Sequence, residues 1–175
     1  ILIYRFSEIY PEYDVHKYAY EYAYSDGNSW KGKFVGSIWE ASSMGSCLAK
    51  ACDAFWPAME NDEVVQYLKD RAISKNNDPE LIDPTSIRKS CDTGILLEIK
   101  KAVESGACSG NFGMHQSAMA YAAVALDHLP ETAEMIDWVF RYGETTSTDG
   151  KTHVSGGNVL YNLVDLIDRD GFSYE

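Results

Sequence analysis

The segment Ser117-Ala118-Met119-Ala120-Tyr121-Ala122-Ala123-Val124-Ala125-Leu126 constrains this chain more than any other. It is almost purely apolar, rich in helix-forming alanine, and too lacking in bulk to be an ordinary surface helix. A helix of that kind belongs in an interior, where neighbours come close to its backbone. Directly before it stands Gly110-Asn111-Phe112-Gly113-Met114-His115-Gln116, with three hydrogen-bonding side chains, Asn111, His115 and Gln116, at the helix start. Free backbone N–H groups and the helix dipole favour negative charge there, so the end suits an anionic ligand. Singly, Asn111 or His115 reads as an ordinary cap or surface group. Their combination with Gln116 and with Gly110 and Gly113, which allow close backbone approach, makes the segment a candidate site.

A 3.6-residue period runs through nearly all the rest. One apolar stripe passes through Phe34, Ile38, Gly45, Leu48, Cys52 and Phe55, widened by Trp39, Ala49 and Trp56, with a small-residue patch at Ser42, Ser43, Gly45 and Ser46. Pro57 ends or kinks that helix, and Asn61 caps the next. Asp83-Pro84 pairs an N-cap with proline at the first helical position, and the stripe Ile87, Cys91, Ile95, Ile99, Val103 leads to a stop at Gly106. After the Asn111 helix, broken near Leu129-Pro130, come Ala133, Ile136, Val139 and Phe140, then Gly143. A polar loop from Glu144 to Ser155 precedes a last helix around Val159, Leu160, Leu163, Val164 and Ile167. Tyrosines alternate from Tyr18 to Tyr24, as in a strand, but Lys17, Glu21 and the alanines favour helix. The pattern predicts one all-α domain of antiparallel helical hairpins over residues 1–175.

At 175 residues, 45% hydrophobic and 13% aromatic, the chain can bury a real core. A net charge of −12 argues against nucleic acid as a partner, because duplex binding draws on clustered Lys and Arg. A local basic pocket would still admit an acidic sugar polymer. No apolar run approaches the roughly 20 residues of a membrane span, and no signal peptide is visible. The opening Ile1, without Met, and the polar end at Glu175 read as cuts in a longer protein. Cys47, Cys52, Cys91 and Cys108 lack zinc spacing and read as thiols, with one disulfide open. His16, His128 and His153 are scattered, and a calcium loop registered on Gly171 would put Leu166 where an oxygen is required. No metal or other cofactor is expected, and no pattern sets an oligomeric state. Trp30, with Lys31 and Lys33 beside it, is a candidate platform for a sugar ring.

Gly110-Asn111-Phe112-Gly113-Met114-His115-Gln116 and its alanine-rich continuation resemble the central helix of the heparinase II/III-like polysaccharide lyases. Ser37-Ile38-Trp39-Glu40-Ala41, leading to Leu48-Ala49-Lys50-Ala51-Cys52-Asp53, is similar to an earlier inner helix of that family. Gly156-Gly157-Asn158-Val159 and Asp170-Gly171-Phe172-Ser173-Tyr174-Glu175 are similar to segments that follow its site. The resemblance implies part of an (α/α) toroid, inner and outer helices paired around a cleft, normally followed by a β-sandwich. It implies β-elimination on a polysaccharide containing 4-linked uronic acid, met outside the cytoplasm as a secreted or periplasmic enzyme. By the same resemblance, His115 and Asn111 are the catalytic candidates, and Gln116, Trp30, Trp39 and Asn158 the substrate-binding ones. Relatives often place Asn directly before the histidine, where this chain has Met114, so the amide role passes to Asn111 or Gln116. The family's tyrosine falls beyond Glu175 on this register, which implies that the stretch is incomplete by itself.

Two rivals use the same helices. A toroidal glycoside hydrolase needs two opposed carboxylates, for which Glu40, Asp127, Asp137 and Asp165 are available without a distinctive motif. A non-catalytic carbohydrate-binding helical domain would use the aromatics and need neither Asn111 nor His115. A plain helical domain, with both residues structural, stands beside them.

Overall fold

A computed structural model describes residues 1–9, 38–106, 108, 111–148 and 150–167, without the side chains of 38–42, 44, 165 and 166. In chain order the described elements are α1 (Leu2–Ile9), α2 (Ile38–Ala54), α3 (Asp62–Ser74), α4 (Pro84–Cys91), α5 (Leu97–Glu104), α6 (Met114–Leu126), α7 (Glu131–Phe140), strands β1 (Thr145–Thr148) and β2 (Lys151–Val154), and α8 (Val159–Leu166). Short 3-10 turns cover Trp56–Glu60 and Pro79–Leu81, and a π-helical turn, Asp92–Leu96, joins α4 to α5. The protein is mostly helical, as the periodicity predicts. No described helix is long and apolar enough to cross a membrane.

The alanine-rich helix α6 sits against α2, α5 and α7, with Ala118, Met119, Ala122 and Ala123 fully buried. Its direction relative to each neighbour follows from paired contacts. A Cβ placed on Gly45 would lie 3.4 Å from that of Ala118, Ser46 Oγ is 3.4 Å from Ser117 Oγ, and Lys50 lies over Tyr121. From the Gly45 and Ser46 contacts with residues 117–118 to the Lys50 contact with Tyr121, both chains advance in the same direction, so α2 and α6 run parallel. Thr132 on α7 bonds the Ala123 carbonyl while Trp138 meets His115, so α6 and α7 are antiparallel. The α6–α7 pair is an antiparallel hairpin of the expected kind, whereas α2 and α6 are a parallel pair.

The predicted caps are in place. Asn61 accepts from the Glu63 and Val64 amides at 3.0 and 3.2 Å, and Asp83 forms a reciprocal capping box with Ser86 ahead of Pro84. The stripe Ile87, Cys91, Ile95, Ile99 and Val103 is buried throughout. Its strict four-residue spacing would drift about 40° per step around an ideal α-helix. The wider π-turn absorbs that drift and keeps Ile95 and Ile99 on the core side. Periodicity alone did not forecast it.

Helix α1 docks on this turn. Ser7, buried, donates to the Tyr4 carbonyl at 2.7 Å and sits 2.9 Å from Ser90 Oγ. A Cβ at Gly94 would lie 2.1 Å from the Ser7 carbonyl oxygen, so only glycine lets the two backbones meet.

Three expectations need correction. The polar stretch from Glu144 to Ser155 contains an antiparallel hairpin that registers Thr145 with Val154 and Thr148 with Lys151. Its Thr-rich arms around Asp149-Gly150, with Gly150 at φ +71°, are a hairpin signal the helical reading passed over. On α7 the buried face is Met135, Trp138 and Val139, whereas Ala133 and Phe140 are exposed. On α8 the apolar residues Leu160, Leu163 and Val164 are exposed rather than buried. The four cysteines are free thiols, buried except for Cys47. The alternating tyrosines at 18–24 lie outside the described residues.

Gly94→Ala should force α1 off the π-turn and cost about 1–3 kcal/mol, the usual range for overpacking, read by urea denaturation. A second expectation concerns pH. Asp92 Oδ1 is buried without a hydrogen-bond partner, and burial pushes the carboxyl from 3.8 up to about 6, against the opposing pull of His128 and Arg88. A raised folded-state value means that the protonated acid favours the fold. That contribution is complete below about pH 4 and disappears as pH rises through about 6. Asp92→Asn should therefore add roughly 1 kcal/mol at pH 7, allowing for solvent screening, and flatten the stability profile between pH 4 and 7.

Candidate functional site

The chain enters α6 through a tight turn. Gly113 takes φ +95°, a left-handed conformation that suits glycine, and the Met114 amide donates to the Asn111 carbonyl at 3.0 Å. Asn111 is therefore not the N-cap; it stands exposed in the turn before the helix. The capping work falls to Gln116. Its Oε1 accepts from the Gly113 amide at 3.0 Å, and its Nε2 donates to the Gly157 carbonyl at 2.8 Å. Gln116 is 4% exposed. With both ends of its amide held by backbone, it fastens α6 to the segment before α8, where the sequence suggested substrate contact.

Asn158 has a comparable structural use. At φ +59° it accepts from the Gly143 amide at 2.7 Å and donates to the Gly143 carbonyl at 2.9 Å. Gly156 and Gly157 make this crossing possible. A Cβ on Gly157 would meet the Val139 carbonyl at 2.7 Å and the Trp138 ring at 2.9 Å. The Gly157 amide in turn donates to the Trp138 carbonyl at 2.6 Å. The Gly156-Gly157-Asn158 motif thus clamps the hairpin and α8 onto the end of α7.

His115 remains uncommitted within this framework. It lies half-buried in the first turn of α6, edge-on to Trp138 with ring centroids 6.3 Å apart. Trp138 is itself fixed, its indole N–H donating to the Val154 carbonyl at 2.9 Å. Burial pulls the His115 pKa below the ordinary histidine value, so the ring is neutral at pH 7. Its Nδ1 is buried with no hydrogen-bond partner. A bare lone pair is tolerated in such a place better than an orphaned N–H, which assigns the proton to Nε2. The ring can then donate one hydrogen bond to a ligand arriving at the helix start.

The remaining candidates are dispersed. Trp30 lies outside the described residues; Trp39 is in the first turn of α2, and its side chain is outside them too. Among the carboxylates, Asp127 ends α6 in a left-handed conformation and Asp137 pairs with Arg141 at 3.2 Å. Among the described residues no group of three or more His, Cys, Asp and Glu converges as metal ligands would. Sequence reading passed over a groove of about 250 Å³ between α2 and α6, with Lys50 and Ser117 in its wall. Single-helix periodicity carries no signal for a surface shared by two helices.

Comparison with protein-family models, curated proteins and solved structures finds no match to this chain.

Gln116→Ala should cost about 2 kcal/mol, because it leaves the Gly157 carbonyl and the Gly113 amide without their partners. Thermal denaturation would read the loss. Faster amide exchange at Gly113 would place it at the helix start.

Proposed function

We propose that this chain is the toroid portion of a polysaccharide lyase that cleaves uronic-acid-containing polysaccharide by β-elimination. The observation that carries the reading is His115: a half-buried imidazole in the first turn of α6, edge-on to Trp138, whose buried Nδ1 has no hydrogen-bond partner, so that a proton on Nε2 would serve a ligand. The parallel course of α2 and α6 supports it further. When antiparallel hairpins all begin on the same layer of a toroid, the helices of that layer run parallel.

The chemistry requires such a donor. The C5 proton of a uronate is weakly acidic because its neighbour is a carboxylate, and charge developing at C5 must delocalise into that group. In this proposal His115 Nε2–H donates to the carboxylate, with the exposed Asn111 amide one turn earlier as a second donor. A base at C5 and an acid at the leaving oxygen are also needed. In the family this chain resembles, a tyrosine supplies them, and on the register of Asp170–Glu175 it falls beyond Glu175. The chain is accordingly proposed to hold the carboxylate of a polymer met outside the cytoplasm. Of the carboxylates the hydrolase reading needs, Asp137 pairs with Arg141, and the side chains of Glu40 and Asp165 lie outside the described residues.

Nitrogen-resolved NMR of the His115 ring tests the proposal. Uronate oligosaccharides should shift the Nε2–H signal, and His115→Ala should weaken their binding by about five- to tenfold, the size of one charge-assisted hydrogen bond. In a chain extended to include the tyrosine, turnover should release an unsaturated, ultraviolet-absorbing sugar and vanish in the same variant. A His115 signal indifferent to every uronate polymer, or a saturated product, would overturn the proposal.

A further inference from the structure

The groove between α2 and α6 offers more than a packing gap. It has a volume of about 250 Å³ and is lined by Ser43, Ser46, Cys47, Lys50, Met114 and Ser117. Three serines and one lysine stand in its wall, the Ser46 and Ser117 hydroxyls 3.4 Å from each other. The Lys50 ammonium lies 4.2 Å from the centroid of the Tyr121 ring, a cation–π contact that holds a flexible side chain in one place. No carboxylate among the described residues pairs with Lys50, although the whole chain carries a net charge of −12. A cation kept in position without a counter-ion among the described residues is prepared for an external anion at little ordering cost. Ser117 donates its hydroxyl proton to the Met114 carbonyl at 2.7 Å, which leaves Ser46, its hydroxyl 3.4 Å away, as the donor to the Ser117 oxygen. Met114 and Ser117 belong to the first turn of α6, which also carries His115.

We propose that this groove is a binding subsite for an acidic sugar unit, with Lys50 holding the carboxylate and the serine-lined wall facing the sugar ring. Tyr121 is a positioning residue that acts through Lys50. The inference rests on the lyase reading for the direction of the polymer, which would run from this groove to the His115 end of α6. The Lys50 ammonium favours an anion at this groove whether or not the polymer is cleaved.

The test uses the chain as it stands, an alginate tetrasaccharide as the acidic probe and cellotetraose as the neutral one, followed by amide NMR. The acidic probe should shift the Ser46, Lys50, Ser117 and Tyr121 signals, and raised salt should weaken it. Lys50→Gln should lower its affinity about fivefold, near the upper end for a single solvent-exposed charge pair. Tyr121→Leu should produce a smaller loss by freeing the lysine, and cellotetraose should leave the groove signals unmoved. If the acidic probe moves the His115 signal while both variants bind it normally, the groove proposal falls and the lyase reading stands. If groove binding depends on Lys50 but His115 does not respond, the subsite stands and the lyase reading falls. Equal binding of cellotetraose would overturn the acidic-sugar assignment, and no binding of either probe would overturn the subsite.

Discussion

Close contact along an almost bare helix surface organises this protein. Alanines at 118, 122 and 123 let three neighbouring elements come within methyl-group distance of α6, so the helix is held from several sides by dispersion and apolar burial. A bulkier residue at any of these positions would push a neighbour outward. The parallel pairing with α2 follows from the same shortage of volume, since Gly45 sits opposite Ala118. His115, Gln116 and Ser117 are all carried on that helix.

Fastening and availability are divided between adjacent residues. Gln116 spends its amide on two backbone groups and closes the distance between α6 and the segment before α8. His115, one position earlier, meets Trp138 through its ring, and its buried Nδ1 takes no hydrogen bond. Rigid neighbours around an uncommitted donor are the arrangement that favours binding without reorganisation. The glycine pair 156–157 serves the same end from the other side, because only bare backbone fits beside Val139 and the Trp138 ring.

Much of the local structure is legible in the chain. The caps at Asn61 and Asp83 follow from side-chain oxygens facing orphaned N–H groups, a purely local interaction. The buried stripe from Ile87 to Val103 is equally readable, yet its π-turn is not. That turn answers to a mismatch between the spacing of the apolar residues and the geometry of a helix under packing. The hairpin at 145–154 had a turn signal and Thr-rich arms, outweighed by the helical periodicity on either side. For the site, residue types pointed to the beginning of α6 but could not divide the roles. Gln116 and Asn158 have the same hydrogen-bonding capacity as a ligand contact, and which partner they take depends on backbone brought from far along the chain.

The sequence by itself determined the helical class, most helix boundaries, the burial of the alanine-rich segment and the presence of a polar cluster ahead of it. Those depend on interactions within a few residues and on the 3.6-residue period. Only the tertiary structure decided that α2 runs parallel to α6, that Gln116 is a fastener, that His115 is neutral against Trp138, and that Lys50 is braced on Tyr121 at the edge of a groove. Each of those depends on which distant backbone or ring fills the space beside a side chain, and that is set when the helices pack.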